Sequence, residues 1–244
     1  MSIPRTIVLV TSANQGIGLE VAKKLSAEDT NYHIIMAGRR KDAIERAAEE
    51  LRLQGRSIEP LVLNLTSDTS IEAAVAHVST KYGFLDVLIN NAGIGGDSPM
   101  GPWARKEWHK VFDTNVFGTF AVTDGFLPLL ANSDKTKRIV FLSSELGSLA
   151  WKTDPSKAFV LPFKVYAASK TSLNMMAVNL AAQYAQDPTW KINMACPGHC
   201  ATNFTDFQAP QSAAAGAVSV CRSATLGPNG ETGTFSNSEG TIPW

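Results

Sequence analysis

The chain predicts an α/β fold built on a single doubly wound parallel β-sheet flanked by helices on both faces. Three observations carry this expectation. Short, unbroken apolar runs alternate with longer helical patterns almost from end to end, as buried parallel strands require. Stretches containing glycine and proline follow the strands rather than dividing the chain. The 244 residues show no internal repeat, low-complexity run or linker, so one domain over residues 1–244 is expected.

Residues 6–11 read as the first buried strand and residues 16–28 as the first helix. Residues 33–37 form a second strand. The charged segment 41–54 follows as an amphipathic helix with Ile44, Ala47, Ala48 and Leu51 on one stripe. Residues 58–65 are a third strand, and residues 67–82 a third helix with Ser67 as its N-cap. Residues 87–90 and 139–143 continue the strands, with a long helix over 106–130 between them. Residues 165–186 are helical, 191–196 a strand, 212–226 a last helix and 233–236 a weak final strand. Right-handed crossovers wind such a sheet both ways and place ligands at the carboxyl ends of its strands. The loops at 93–102 and 197–210 each follow a strand, where a site belongs.

Twenty-two basic and 22 acidic side chains cancel. That balance argues against a protein built to hold nucleic acid or an anionic membrane. Cys196, Cys200 and Cys221 are too few for a disulfide framework. The apolar run at 7–10 is too brief for a signal-peptide core, and no run reaches the roughly 18 residues of a membrane span. A reducing, cytoplasmic setting is expected.

Two motifs carry chemistry. The turn Thr11-Ser12-Ala13-Asn14-Gln15-Gly16-Ile17-Gly18 joins the first strand to the first helix. Its glycines would let backbone approach a pyrophosphate at a helix N-terminus. A tight turn of small packing residues is the plainer reading. In Tyr166-Ala167-Ala168-Ser169-Lys170, residues four apart share a helix face, so the ammonium can sit beside the phenol and favour its ionisation. Alone, that pair is a weak signal.

In order and spacing, these motifs together resemble the short-chain dehydrogenase/reductase family over nearly the whole chain, a family with a Rossmann-like sheet. The turn Thr11 to Gly18 resembles its glycine-rich cofactor turn. Asn90-Asn91-Ala92-Gly93 resembles its Asn-Asn-Ala-Gly signature, and Asn115 stands where the family keeps a catalytic asparagine. Ser144 matches the catalytic serine, and Tyr166 with Lys170 the Tyr-Lys pair. Pro197-Gly198, with Thr202 after it, matches the loop that holds the nicotinamide end.

The resemblance implies hydride transfer between a nicotinamide and a carbonyl carbon. Tyr166 would donate the proton and Ser144 would hydrogen-bond the same oxygen. Lys170 would lower the phenol pKa and grip the ribose, and Asn115 would hold a water that links Lys170 to solvent. Ser12, Asn14, Gln15, Gly16, Ile17, Gly18, Asn91, Ala92, Gly93, Tyr166, Lys170, Pro197, Gly198 and Thr202 are the implied cofactor contacts, with Asn64 and Leu65 near the adenine. An acid at the end of the second strand would receive the ribose hydroxyls. Here Ala37-Gly38-Arg39-Arg40 offers Arg39 instead, which suits the 2′-phosphate of NADP(H). The substrate would be a small-molecule carbonyl or alcohol. Pairing through the two long helices would give a homodimer or homotetramer, unless the segment 145–165 blocks that face.

Two positions depart from the pattern. Ser12 replaces the first glycine of the turn. It is either strained at positive φ or seated in an allowed region with its hydroxyl bonded locally, and it is read as tolerated. Asn64 stands where the family has Asp. The segment 145–165 is long and holds Trp151, Phe159, Leu161 and Phe163, while Phe204 and Phe207 follow the nicotinamide loop. These side chains fit a bulky hydrophobic carbonyl substrate, or ordinary loop packing. Cys196, His199 and Cys200 lack a fourth ligand at zinc-like spacing, so no metal is expected. His33, His77 and His109 have no partner pattern. Ser143-Ser144 lacks a nucleophile elbow. Rival readings are a non-redox isomerase or cyclase on the same fold, and a regulatory protein that senses the dinucleotide.

Overall fold

The computed structural model of the protein describes residues 5–28, 31–96, 104–160 and 163–244. The strands are β1 (Thr6–Thr11), β2 (Tyr32–Gly38), β3 (Ile58–Val62), β4 (Val87–Asn90), β5 (Lys137–Leu142), β6 (Trp190–Ala195), β7 (Cys200–Ala201), β8 (Gln211–Ser212) and β9 (Phe235–Ser236). The helices are α1 (Gly16–Glu28), α2 (Lys41–Arg52), α3 (Asp68–Tyr82), α4 (Arg105–Phe112), α5 (Thr119–Ala131), α6 (Leu149–Thr153), α7 (Lys164–Gln183) and α8 (Ala213–Ala224). Seven strands form one parallel sheet in the order β3-β2-β1-β4-β5-β6-β9, while β7 and β8 pair separately. The chain thus has the doubly wound, Rossmann-like fold.

Alternation along each strand divides the core into two layers. Ile7 and Leu9 point to the face covered by α3, α5 and α7, where Phe126, Phe141 and Leu173 are buried. Val8 and Val10 point to the opposite face, against Val21 and Leu25 of α1, Ile44 and Leu51 of α2, and Val220 of α8. Both faces are therefore apolar, which is why the strands read as continuous hydrophobic runs. The strand order reverses between β1 and β4, and a crevice opens there at their carboxyl ends.

The elements depart from expectation in several places. The third strand stops at Val62 rather than residue 65, because β2 ends at Gly38, its last paired residue. The long helix expected over 106–130 is interrupted by a π-turn, Asp113–Gly118, between α4 and α5. A Cβ at Gly118 would collide with the Leu65 carbonyl, so glycine lets the helix lie directly on that backbone. Thr119 Oγ1 donates to the Thr114 carbonyl at 3.2 Å, five residues back, within the widened turn. The helix α7 ends at Gln183 because Tyr184 leaves helical geometry and stacks on Trp190, with ring centroids 4.0 Å apart. The segment 145–165 is partly helical, carrying α6 and two 3₁₀ turns. Leu161 and the Phe159 side chain, like residues 97–102 of the expected loop 93–102, lie outside the described residues. Among the described residues, no helix is long and apolar enough to cross a membrane.

Candidate active site

The turn after β1 is shaped by close backbone approach. Gly16 has φ +57°, and a Cβ on Gly18 would stand 2.5 Å from Asn91 Nδ2 and 2.7 Å from the Ser12 carbonyl oxygen. Ser12 itself has φ +53°, the left-handed conformation that was one of its two alternatives. Asn91 holds the turn from the neighbouring strand, donating through Nδ2 to the Thr11 and Ser12 carbonyls at 2.8 and 3.1 Å. Thr11 Oγ1 answers by accepting from the Asn91 and Ala92 amides at 2.9 and 3.0 Å. The α1 helix carries no acidic side chain in its first turn, so its N-terminal amides face the crevice with their partial positive charge intact.

The carboxyl ends of β1, β4, β5 and β6 surround a cleft of about 390 Å³. Ser12, Gln15, Gly16 and Ile17 line one side, and Asn91 and Gly93 the floor. Ser144, Tyr166, Lys170, Pro197, Gly198 and Thr202 complete it. The remaining expected site residues stand outside this wall. Asn14, Gly18 and Ala92 support the turn, Asn115 lies behind it, and Arg39, Asn64 and Leu65 belong to the ends of β2 and β3.

Tyr166 and Lys170 share one face of α7, with Lys170 Nζ 5.6 Å from the phenol ring centroid. Lys170 is 3% exposed and donates to the Leu142 carbonyl at 2.6 Å. Burial pushes its ammonium down to about 8. Burial also pushes the Tyr166 phenol above its ordinary value, and a hydrogen bond with Ser144 opposes that shift only in part. The net direction is thus opposite to the acidification expected from the nearby ammonium. Desolvation of the phenolate is the largest cause of the shift.

Asn115 sits in the π-turn and is fully buried. Its amide joins Ile94 to α7, accepting from Ile94 N at 2.8 Å and donating to the Ile94 carbonyl at 2.9 Å and to Ser169 Oγ at 3.0 Å. These bonds brace the loop after β4 against the helix that carries Tyr166 and Lys170. Asn64 closes its own turn, with Oδ1 accepting from Thr66 N and Oγ1 at 3.3 and 3.1 Å. Arg39 and Arg40 are exposed and form no ion pair among the described residues.

Several contacts of the site escaped the sequence reading, and so did Gly147. A Cβ on Gly147 would stand 2.9 Å from Lys170 backbone, so this glycine lets the segment after Ser144 seat on the catalytic helix. Phe204 lies on Gly95, where a Cβ would meet its Cζ at 3.0 Å, and tilts against Tyr166 with centroids 5.3 Å apart. Thr202 caps the 3₁₀ turn that carries Phe204. Cys196 and Cys200 make backbone contacts: Cys196 Sγ accepts from the Glu145 and Gly198 amides, each at 3.4 Å, and Cys200 Sγ donates to the Pro197 carbonyl at 3.2 Å. The spacing Ser144-x-x-Gly147 was the only signal of these contacts in the sequence. The others depend on segments distant in the chain.

Residues 6–213 match the family model described as short chain dehydrogenase. A short-chain dehydrogenase of Penicillium roqueforti, anuI, is 36% identical over 231 residues, which cover 93% of this chain and 91% of the relative. A short chain dehydrogenase from Shigella flexneri, solved with NADP, superposes with a TM-score of 0.82 at 26% identity, covering 96% of this chain and 97% of the other. The actinorhodin polyketide ketoreductase solved with NADPH also gives 0.82 at 26% identity, over 98% and 97% of the two chains. With the sheet order, the turn after β1 and the Tyr-Lys helix in place, this chain belongs to the short-chain dehydrogenase family.

Proposed function

We propose that this chain is a single-domain, NADPH-dependent reductase of a bulky, hydrophobic ketone or aldehyde, and in reverse an alcohol dehydrogenase. The observation that carries the reading is the convergence of Ser144, Tyr166 and Lys170 on the same cleft as the turn after β1. The turn fits a dinucleotide: the space beside Gly18 is closed to any side chain, and the amides of α1 face the crevice. Ser12, Asn14, Gln15, Gly16, Ile17 and Gly18 would hold the pyrophosphate. Arg39, exposed and without a carboxylate partner among the described residues, would take the 2′-phosphate, as charge-assisted guanidinium contacts favour. Asn64 and Leu65 would flank the adenine, and Asn91, Ala92 and Gly93 the adjoining ribose. Pro197, Gly198 and Thr202 would hold the nicotinamide end. The solved relatives complexed with NADP or NADPH support this choice of cofactor.

When bound, the nicotinamide supplies the hydride to the carbonyl carbon. Tyr166 donates its phenolic proton to the carbonyl oxygen as that oxygen gains charge. Burial raises the phenol above its ordinary value, so the transfer relies on Ser144 and Lys170 to stabilise the phenolate that forms. Ser144 hydrogen-bonds the same oxygen, and Lys170 lends positive charge to the pair and binds the ribose hydroxyls. Asn115 holds the loop after β4 against α7 and so positions Tyr166 and Lys170. Phe163 and Phe204 line the cleft and favour an apolar, aromatic substrate. NADPH consumption against a panel of aryl ketones and aldehydes, with the alcohol product identified, tests the reading. A chain that binds NADPH yet reduces none of them contradicts it.

A further inference from the structure

Glu145 follows Ser144 directly and lines the cleft. Its carboxylate is anchored, with Oε1 accepting from Asn237 Nδ2 at 2.9 Å. Asn237 is 9% exposed and fully engaged. Its Oδ1 takes the Glu239 and Gly240 amides at 2.9 and 3.0 Å, and its carbonyl takes Arg222 Nη2 at 3.0 Å. The carboxylate is thus pre-set rather than free to swing away.

No cation answers this charge. Among the described residues, Glu145 has no lysine, arginine or histidine within ion-pairing distance. Two basic side chains line the cleft among the described residues: Lys170, whose ammonium is turned onto the Leu142 carbonyl, and His199, which forms no ion pair with Glu145. Cys196 hydrogen-bonds the Glu145 carboxylate but stays a neutral thiol, pushed up to about 12 by burial and then by the Glu145 charge itself. A glutamine at 145 would accept from Asn237 equally well, so bracing does not account for the charge. The walls around it include Phe163 and Phe204. An anchored carboxylate without an ion-pair partner, in a cleft that Phe163 and Phe204 also line, suits an organic cation.

We propose that Glu145 is a specificity-determining residue that selects a carbonyl substrate bearing a protonated amine, an inference that rests on the reductase reading above. The carboxylate accepts a charge-assisted hydrogen bond from the ammonium while Ser144 and Tyr166 engage the carbonyl oxygen. The substrate class is therefore an aryl or cycloalkyl ketone or aldehyde with a basic nitrogen.

The test uses para-(dimethylaminomethyl)acetophenone and its neutral isostere para-isobutylacetophenone. Each is titrated calorimetrically into the full chain, with and without saturating NADP+. The wild type is expected to bind the amine about tenfold more tightly or better. In Glu145→Gln the ratio should fall to near one, and in Glu145→Asp part of the preference should remain. Equal affinities in the wild type, or a preference that survives in Glu145→Gln, would overturn the proposal. Should Glu145→Gln fail to fold, the wild-type preference must shrink with added sodium chloride, and a salt-insensitive preference overturns it equally. NADPH consumption is followed in parallel. A charge-dependent preference without consumption supports the Glu145 site and overturns the reductase reading.

Discussion

Ser12 holds φ +53° in the turn that would carry the pyrophosphate, a conformation in which a side chain costs about 1 kcal/mol. Ser12→Gly should therefore raise folding stability by up to about 1 kcal/mol in denaturant unfolding while changing NADPH affinity little, since the unliganded chain already holds this conformation. A variant no more stable than wild type would show that the turn bears no strain that matters. Arg39 makes a sharper prediction. Arg39→Asp replaces a guanidinium by a carboxylate, so the preference for NADPH over NADH should fall by about two orders of magnitude. Equal losses for both cofactors would remove Arg39 from phosphate recognition. At this scale the gathering of Ser144, Tyr166 and Lys170 in one cleft with the turn after β1 was legible, because motif and spacing mark these residue types. What was not legible depends on neighbours distant in the chain. Phe204 meets Gly95, Glu145 meets Asn237, and neither pair has a fixed spacing to read. Spacing locates the ammonium beside the phenol, but it does not report the burial that raises the phenol above its ordinary value.

The strands and most helices were legible because apolar runs and periodic stripes report burial directly. Their ends were not, since pairing decides them: β3 stops where Gly38 stops, and the π-turn at Asp113–Gly118 exists where Gly118 meets Leu65. Three elements also converge on a buried acid that no pattern announced. Glu59 of β3 receives His77 Nε2 at 2.6 Å, Lys81 Nζ at 2.9 Å, His33 Nε2 at 3.3 Å and the Tyr82 hydroxyl. His33 and His77, read as unpartnered, are therefore joined through one carboxylate. Burial alone would raise the Glu59 pKa, but hydrogen bonds from Lys81, Tyr82, His77 and His33 outweigh it and hold the group at about 2. A depressed carboxyl contributes stability that is fully present above its ordinary value of 4.5 and lost as pH falls through about 2. His33, lowered from 6.5 chiefly by burial, acts in the same direction, because protonating it is harder in the folded chain. Glu59→Gln should lower stability near pH 7 by about 2 kcal/mol and flatten the acid limb of the stability profile. Acid unfolding that overlays the wild type would mean that the cluster contributes nothing.

Over the whole molecule, the reversal of strand order between β1 and β4 brings a phosphate-type turn and a Tyr-Lys helix to one crevice, although they stand more than a hundred residues apart. That convergence was legible only through the resemblance to a family, because no local pattern states which strands lie side by side. In the proposed function it also separates two jobs: the turn after β1 and Arg39 would bind the cofactor, whereas Tyr166 would transfer the proton. Tyr166 is proposed as the proton donor of a reductase, and replacing it by Phe removes the acidic proton while leaving the ring in place against Phe204. Single-turnover oxidation of bound NADPH by an aryl ketone is to be measured in wild type and Tyr166→Phe, with the NADPH dissociation constant determined for both. The expected result is a rate lowered by at least about a hundredfold with NADPH affinity within about threefold of wild type. A Tyr166→Phe protein that oxidises NADPH at the wild-type rate would contradict it.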